Sequence, residues 1–547
     1  MISLARSQQM MLPIDCNQAP PGFFEICQQL RQFDIAAKTA LSVAAPQMVV
    51  NAPAVPHIQP PSSAVPHQSS FVPSVYNCLN LQCLCPYFAG NISPDGECYL
   101  RNGQILQRSI RKEIRMLNDS ERKRFFNAVR QLKASGEYNR LANIHRQEAS
   151  ESGAHSGPSF LPWHREFTKR MEIALRLIDP LVALPYWDSS LDQHLSDPRD
   201  SIMWSPILMG ESDSNGRVIN GPFAGFTTLE GHPTITRHLG KEGHLFTDQN
   251  IKAVYDKNTI EGILAYTAPT KACPYPPNYS ALEYYHASVH IWVGGDMKPP
   301  ITSANDPIFF LHHSFVDYIF ENWRQMHQNR MQREQVNTDD YPDEITSCTT
   351  TLHFADANMR PFNLANRQGL SNAYTDYMYT YEQRPNCSES QPNCHSQFLF
   401  CDLLNGPAHC VSKIKLGKSC EQFAGEDACY MGVCSDGYCR TNTATSAVET
   451  TCLNDNPCCS LWARNGECTS NAAYMKMYCR KSCNYCKSSD DRRNGCFDRH
   501  ISCSQMRLQG KCIQRRQWMA ENCQASCGWC NIPVHDLCVR AALIGRI

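Results

Sequence analysis

The chain has 547 residues, a formal net charge of −1, 42% hydrophobic and 19% charged residues, which suits one large folded core with satellites and excludes a disordered protein. Its longest basic runs are short, such as Arg122-Lys123-Arg124 on a solvated helix face, which argues against nucleic acid. No stretch of about eighteen apolar residues is present, so a membrane-spanning helix is excluded.

Thirty cysteines are too many for a reduced cytosolic enzyme, and their bunching at the termini predicts disulfide-bonded modules in a secreted, extracellular protein. Residues 1–43 form an N-terminal segment, in which Met1–Leu12 carries Arg6, Ser7, Gln8 and Gln9 and lacks a signal peptide's apolar run. Residues 44–76 read as a linker, broken by Pro53, Pro56, Pro60, Pro61, Pro66 and Pro73.

The main domain spans 77–385. Early in it, residues 111–115 and Asp119 to Leu132 read as helices, the second capped by Asp119 or Ser120. His145 follows Leu141 by one helical turn, His155 lies in the small-residue loop 152–158, and His164 opens an amphipathic helix continued by Phe167, Met171, Ala174 and Ile178. Further on, His286 and His290 stand four apart and share a helical face. The segment Asn305-Asp306-Pro307 then opens a helix in which His313 shares a stripe with Val316, Phe320 and Trp323. His312 has its own stripe of Phe315, Val316 and Ile319, so the pattern leaves the two adjacent histidines ambiguous.

A single histidine on an apolar face reads as a hydrogen-bonded core residue. Two triplets, His145, His155, His164 and then His286, His290, His313, read as two three-imidazole metal sites forming one dinuclear centre. Neutral imidazole suits copper, zinc, iron and nickel, whereas calcium and magnesium take oxygen donors, and a redox copper pair is the expected occupant.

Beyond the main domain, residues 386–440 hold eight cysteines and read as a compact disulfide cap that lies over the mouth of the metal site. A linker at 441–451 leads to two similar units at 452–486 and 496–530, separated by a charged spacer at 487–495 and followed by a tail at 531–547. Both units end in Cys-x3-Cys-x2-Cys, for which disulfides are favoured over zinc. Cys458 and Cys538 fall outside each six-cysteine set, and their pairing stays open. Sequons at Asn91, Asn118, Asn278 and Asn386 suit an extracellular glycoprotein.

These motifs resemble the type-3 copper proteins: tyrosinases, catechol oxidases and molluscan haemocyanins. The likeness rests on His145, His155, Pro162-Trp163-His164-Arg165-Glu166-Phe167, Leu184-Pro185-Tyr186-Trp187-Asp188, His286-x3-His290, Trp292-Val293-Gly294-Gly295, Asn305-Asp306-Pro307 and His312-His313, and covers roughly residues 95 to 385. It assigns the sixth ligand to His313, and takes Tyr377-Met378-Tyr379 as the Tyr-x-Tyr element closing the core. The resemblance implies a mainly α fold, a four-helix-bundle dicopper core that oxidises o-diphenols, and possible monophenols such as tyrosine, to o-quinones with O2. His312, Asp317 and Phe309 are expected around the ligands, Asp317 as a group that orients an imidazole.

Two positions depart from the family. Many members join the second ligand to a cysteine two residues earlier, where this chain has Gly153, and several hydroxylating members have an asparagine after the fourth ligand, where this chain has Ala287. Diphenol oxidation is therefore the expectation, with Glu283 the nearest acidic group upstream.

The repeats resemble ShKT domains, which implies the pairs Cys452 with Cys486, Cys459 with Cys479 and Cys468 with Cys483. In the second copy it implies Cys496 with Cys530, Cys503 with Cys523 and Cys512 with Cys527. The Lys-Tyr pair of channel-blocking relatives is absent, because Met477 follows Lys476 and Ala520 holds the comparable place. Matrix or partner-protein binding is the expected role, with phenolic small molecules or protein tyrosyl groups as substrates. The other functions considered are haemocyanin-like oxygen binding and a binding protein with a vestigial copper core.

Overall fold

The computed structural model describes residues 13–44, 74–149, 151–334, 341–441, 453–486 and 496–538, the last stretch with gaps at 497, 500–502, 509 and 534–535. Two compact units divide the chain, Met1–Thr441 and Asn442–Ile547.

Six longer helices set the architecture of the first unit: α1 (Phe24–Ala44), α2 (Asp119–Ala134), α3 (Glu137–Glu148), α4 (Phe160–Ile178), α5 (Leu282–Val293) and α6 (Ile308–His327). In α2 the apolar residues Phe125, Phe126, Val129 and Leu132 recur at helical spacing and are buried. The cap is Asn118 and not Asp119 or Ser120: its side-chain oxygen accepts from the amides of Ser120 and Glu121, while Glu121 reaches back to the Asn118 amide. Residues 111–115 are not a helix. Arg111 ends a strand and Ile114–Met116 makes a single 3-10 turn, because the backbone here pairs with other segments.

The bundle consists of α3, α4, α5 and α6, and the family-derived expectation of a mainly helical core holds. Helix α4 was expected to be amphipathic, yet its side chains from Phe160 to Arg176 are all buried, and Ile178 is partly exposed instead. Charged residues survive there because each has an ionic or hydrogen-bonding partner, Arg176 donating to the carbonyls of Gln107 and Pro180. Arg165 donates to Asp317 at 2.6 Å and Glu321 at 2.7 Å on α6, Arg170 to Glu166 at 2.6 Å, and Arg111 to Glu172. Trp163, Trp187, Trp204 and Trp323, all fully buried, fill the spaces between elements, and truncating such a side chain costs about 3–5 kcal/mol.

Strand β1 (Ser109–Arg111) pairs in parallel with β2 (Tyr379–Tyr381), Ile110 opposite Thr380. This pairing carries two tyrosines to α6, where Tyr379 and Tyr381 each donate to Asp317 at 2.7 Å. The tyrosines tied to α6 are thus 379 and 381, whereas Tyr377 lies in the single π-helical turn Tyr374–Met378 and is exposed.

Residues after 386 form a cap around the hairpin β3 (Leu399–Asp402) and β4 (His409–Ser412), stapled by Cys387–Cys401, Cys394–Cys410, Cys420–Cys434 and Cys429–Cys439. It packs against Leu191 and Leu195, and the Ile202 amide donates to Lys413 at 2.8 Å. Among the described residues no hydrogen bond or ring contact joins it to the six histidines. Helix α1 packs beside the histidine-bearing helix, with Ile26 and Leu30 against Ala287 and Ile291 of α5 in a segment closed by Cys16–Cys27.

In the second unit the disulfides join Cys459 to Cys479, Cys468 to Cys483, Cys496 to Cys530, Cys503 to Cys523 and Cys512 to Cys527. Cys452 lies outside the described residues, and with it the pair to Cys486. Cys458 bonds to Cys538, and the Asn522 side chain donates to the Asn454 carbonyl at 2.8 Å, so the two repeats are one fused body.

Candidate metal centre

Five local elements deliver the six histidines. His145 sits in the last turns of α3, His155 in the loop between α3 and α4, His164 in the second turn of α4, His286 and His290 on one face of α5, and His313 in the second turn of α6. All six are at most 8% exposed. Asp306 fixes the start of α6 by accepting the Ile308 amide at 3.1 Å, and is itself gripped by the Arg237 guanidinium at 2.6 and 2.8 Å.

One ring nitrogen of most ligands is spent on a backbone carbonyl. Nδ1 of His155 meets Ala149 O at 2.9 Å, His164 meets Phe160 O at 2.9 Å, His286 meets Glu283 O at 3.2 Å and His290 meets Met297 O at 2.9 Å. A carbonyl accepts only, so Nδ1 must carry the proton and Nε2 presents a lone pair.

Those lone pairs converge. Nε2 of His313 lies 3.2 Å from Nε2 of His286 and 3.2 Å from Nε2 of His290. Three imidazoles ligating one ion at 2.0–2.1 Å in tetrahedral geometry place their nitrogens about 3.3 Å apart, so the spacing matches a shared cation. The nitrogens of His145, His155 and His164 lie within 4.8 Å of one another, and Nε2 of His145 and of His164 is buried with no hydrogen-bond partner among the described residues. A buried lone pair without a donor is costly unless a cation completes it.

Burial disfavours the imidazolium throughout. It pushes His155 and His290 down to about 4 and His145, His164, His286 and His313 well below the ordinary histidine range, the neighbouring imidazoles adding to the shift for these four. Neutral imidazole at physiological pH is the ligating form.

The two clusters adjoin. The rings of His164 and His313 stack at 4.2 Å, and Phe309 packs on His313 at 4.1 Å and on His145 at 4.7 Å, bridging both clusters. Phe160 touches His164 at 4.8 Å and His286 at 4.7 Å. His312 also brings a nitrogen within 4.8 Å of His286 and His290, but its Nε2 faces the His286 carbonyl at 3.2 Å and its ring stacks on His286. His313, whose Nε2 meets both others, is the better-aimed third member. Asp317 binds no imidazole; its oxygens are taken by Arg165, Tyr379 and Tyr381, which corrects the expected orienting role.

Several contributors carried no signal in the sequence. Arg237 is a lone arginine in a loop, Phe33 of α1 places its ring 5.5 Å from that of His155, and His353 meets Ser159 Oγ at 2.8 Å behind the His155 loop. Gly153 has no room for a side chain, since a Cβ would fall 2.5 Å from Ser159 Oγ and 2.7 Å from Leu352 O. Of the sequons, Asn91, Asn118 and Asn386 are exposed, and Asn118 uses its amide oxygen as the α2 cap.

The pattern described as the common central domain of tyrosinase matches residues 135–326, and ShK domain-like patterns match 451–486 and 495–530. The tyrosinase-like protein tyr-3 of Caenorhabditis elegans is 41% identical over 504 residues, covering 86% of this chain and 70% of that protein. A tyrosinase of Streptomyces glaucescens is 34% identical over 240 residues, covering 40% of this chain and 84% of its own. Among solved structures, a polyphenol oxidase of Thermothelomyces thermophila superposes with a TM-score of 0.40 at 19% identity, over 52% of this chain and 90% of that one. With a relative of that identity and extent, and six histidines standing in two adjoining triads, the chain belongs to the tyrosinase family.

Proposed function

We propose that the protein is a secreted dicopper phenol oxidase that converts o-diphenols to o-quinones at the expense of O2. The observation that carries this reading is the convergence of two neutral-imidazole triads whose rings touch across the gap, His164 on His313 at 4.2 Å. A soft-to-borderline nitrogen donor set with no carboxylate among the ligands fits copper. His145, His155 and His164 would hold one ion, and His286, His290 and His313 the other. When bound, copper supplies the reversible redox couple through which two o-diphenols deliver four electrons and four protons to one O2, yielding two o-quinones and two waters.

The chain's own residues hold and screen. The carbonyls of Ala149, Phe160, Glu283 and Met297 keep Nδ1 of His155, His164, His286 and His290 protonated and those four rings aimed. Phe160 and Phe309 exclude water from the space between the rings. Neither of the two positions that would serve hydroxylation offers a free base for a monophenol proton: Ala287 is apolar and buried, and both Glu283 oxygens are engaged by Ser156 and Thr267. Diphenols, which release their protons readily on losing electrons, are therefore the substrates. The disulfide-rich second unit supports an extracellular setting in which quinones crosslink or pigment a matrix, with the ShK-like repeats as the matrix-binding part.

Oxygen uptake by the copper-loaded protein tests the reading. Catechol should be consumed, tyrosine should not, and the metal-free protein should do neither. Reversible oxygen binding without catechol turnover would show an oxygen carrier instead.

A further inference from the structure

The loop Ser152–Ser159 carries His155 without regular secondary structure, so something outside it must set where that imidazole stands. At its centre Ser156 has φ of 74°, the left-handed region that non-glycine residues enter only when surrounding contacts hold them there. Two long-range contacts do so. The Ser156 hydroxyl donates to the Leu30 carbonyl of α1 at 2.8 Å, and the Ser156 amide donates to Glu283 Oε1 at 2.6 Å.

Glu283 is unusual in its own right. It is 3% exposed, and no lysine, arginine or histidine forms an ion pair with it among the described residues. Its carboxylate is satisfied instead by the Ser156 amide and by Thr267 Oγ1 at 2.5 Å. Burying an acidic group this way is expensive, and the compensation comes from the metal-site loop itself. Glu283 also lies one turn before His286, and its backbone carbonyl accepts from His286 Nδ1 at 3.2 Å. One residue thereby touches both triads, through its side chain the loop of the first and through its main chain a ligand of the second.

We infer that Glu283 is a positioning residue that holds His155 in register with the second histidine triad, acting through the reach of its side chain to the Ser156 amide. This rests on the copper reading above. The carboxylate takes no part in ligation and accepts no substrate proton; it fixes the loop so that the first site is formed before an ion arrives.

Reach and charge can be separated at this position. Glu283→Gln keeps an oxygen acceptor at the same distance and lets its amide donate to Thr267, while Glu283→Asp keeps the charge but withdraws the carboxylate by one methylene. Competition of the full-length protein with a chromogenic Cu(I) chelator resolves the two copper sites without relying on turnover. Wild type and Glu283→Gln should both hold two ions tightly. Glu283→Asp and Glu283→Ala should hold one ion as tightly and the other roughly ten- to a hundredfold more weakly. Should Glu283→Ala not fold, the Gln and Asp pair still decides. Two tight ions in Glu283→Asp would overturn the inference, and so would equal weakening in Gln and Asp, which would make the role one of charge. Failure of the wild type to bind two ions would instead strike at the copper reading.

Discussion

His164 and His313 lie face to face, centroids 4.2 Å apart and planes 9° from parallel, although one belongs to each triad. Their helices carry the device that sets this contact, because Arg165, next to His164, donates to Asp317, one turn beyond His313, at 2.6 Å and to Glu321 at 2.7 Å. The ion pair is fully buried, with side-chain exposure of 0% and 4% for Arg165 and Asp317. It sets the register of α4 on α6 and, through it, the separation of the triads.

Breaking that pair from one side strands charge in the core. Asp317→Asn leaves Arg165 with Glu321 alone and Arg111 with Glu172 alone and should cost up to about 3–5 kcal/mol, lowering the unfolding temperature of this large unit by a few degrees. Differential scanning calorimetry checks this, and an unchanged transition would show that the pair does not hold the bundle.

Acid should weaken the same network over a defined window. Burial alone would raise the Glu321 carboxyl, but Arg324 and Arg165 overcome it and hold the group at about 2, against 4.5 for a free glutamate. A depressed folded-state value means the contribution to stability is fully present above pH 4.5 and is lost as pH falls through 2. The difference in unfolding free energy between wild type and Glu321→Gln should be constant above pH 4.5 and shrink steadily below it. A difference that stays flat down to pH 2 would refute the assignment.

Phe33 covers the first triad, with its ring 5.5 Å from that of His155. Phe33→Ala should raise kcat/KM for bulky catechols several-fold without changing copper content, whereas cleaving the cap after residue 385 should leave access unchanged. Steady-state kinetics on a series of 4-substituted catechols separates the two, and equal effects would mean that α1 is no barrier.

The Cys458–Cys538 bridge closes a span of 80 residues around both repeats. Replacing both cysteines by serine should destabilise the C-terminal unit, by at most about 4.5 kcal/mol on chain-entropy grounds, lowering its unfolding transition and leaving that of the helical core in place. A calorimetric trace with both transitions unmoved would show that Asn454, Glu521 and Asn522 suffice to hold the repeats together.

The sequence showed the helical carriers of the histidines clearly, since His286-x3-His290 and the stripe through His313 follow a 3.6-residue period that local geometry alone creates. It misled wherever a residue's role is set by a partner far along the chain. Asp317 looked like an imidazole partner at one-turn spacing, yet Tyr379 and Tyr381 arrive through the parallel pairing of β2 with β1 and claim it. The same holds for α1: its Ile26 and Leu30 pack on α5, a docking that no spacing within α1 reveals. Gly153 could be read as lacking a cross-link, but not that Glu283 engages the adjoining loop through Ser156.

Copper bound per chain, measured by elemental analysis after loading and exhaustive dialysis, is the most direct test of a dinuclear centre built from two triads. Wild type should retain two ions, and His145→Ala and His290→Ala one each, with catechol oxidation lost in both. One ion or none in the wild-type protein would contradict the paired centre.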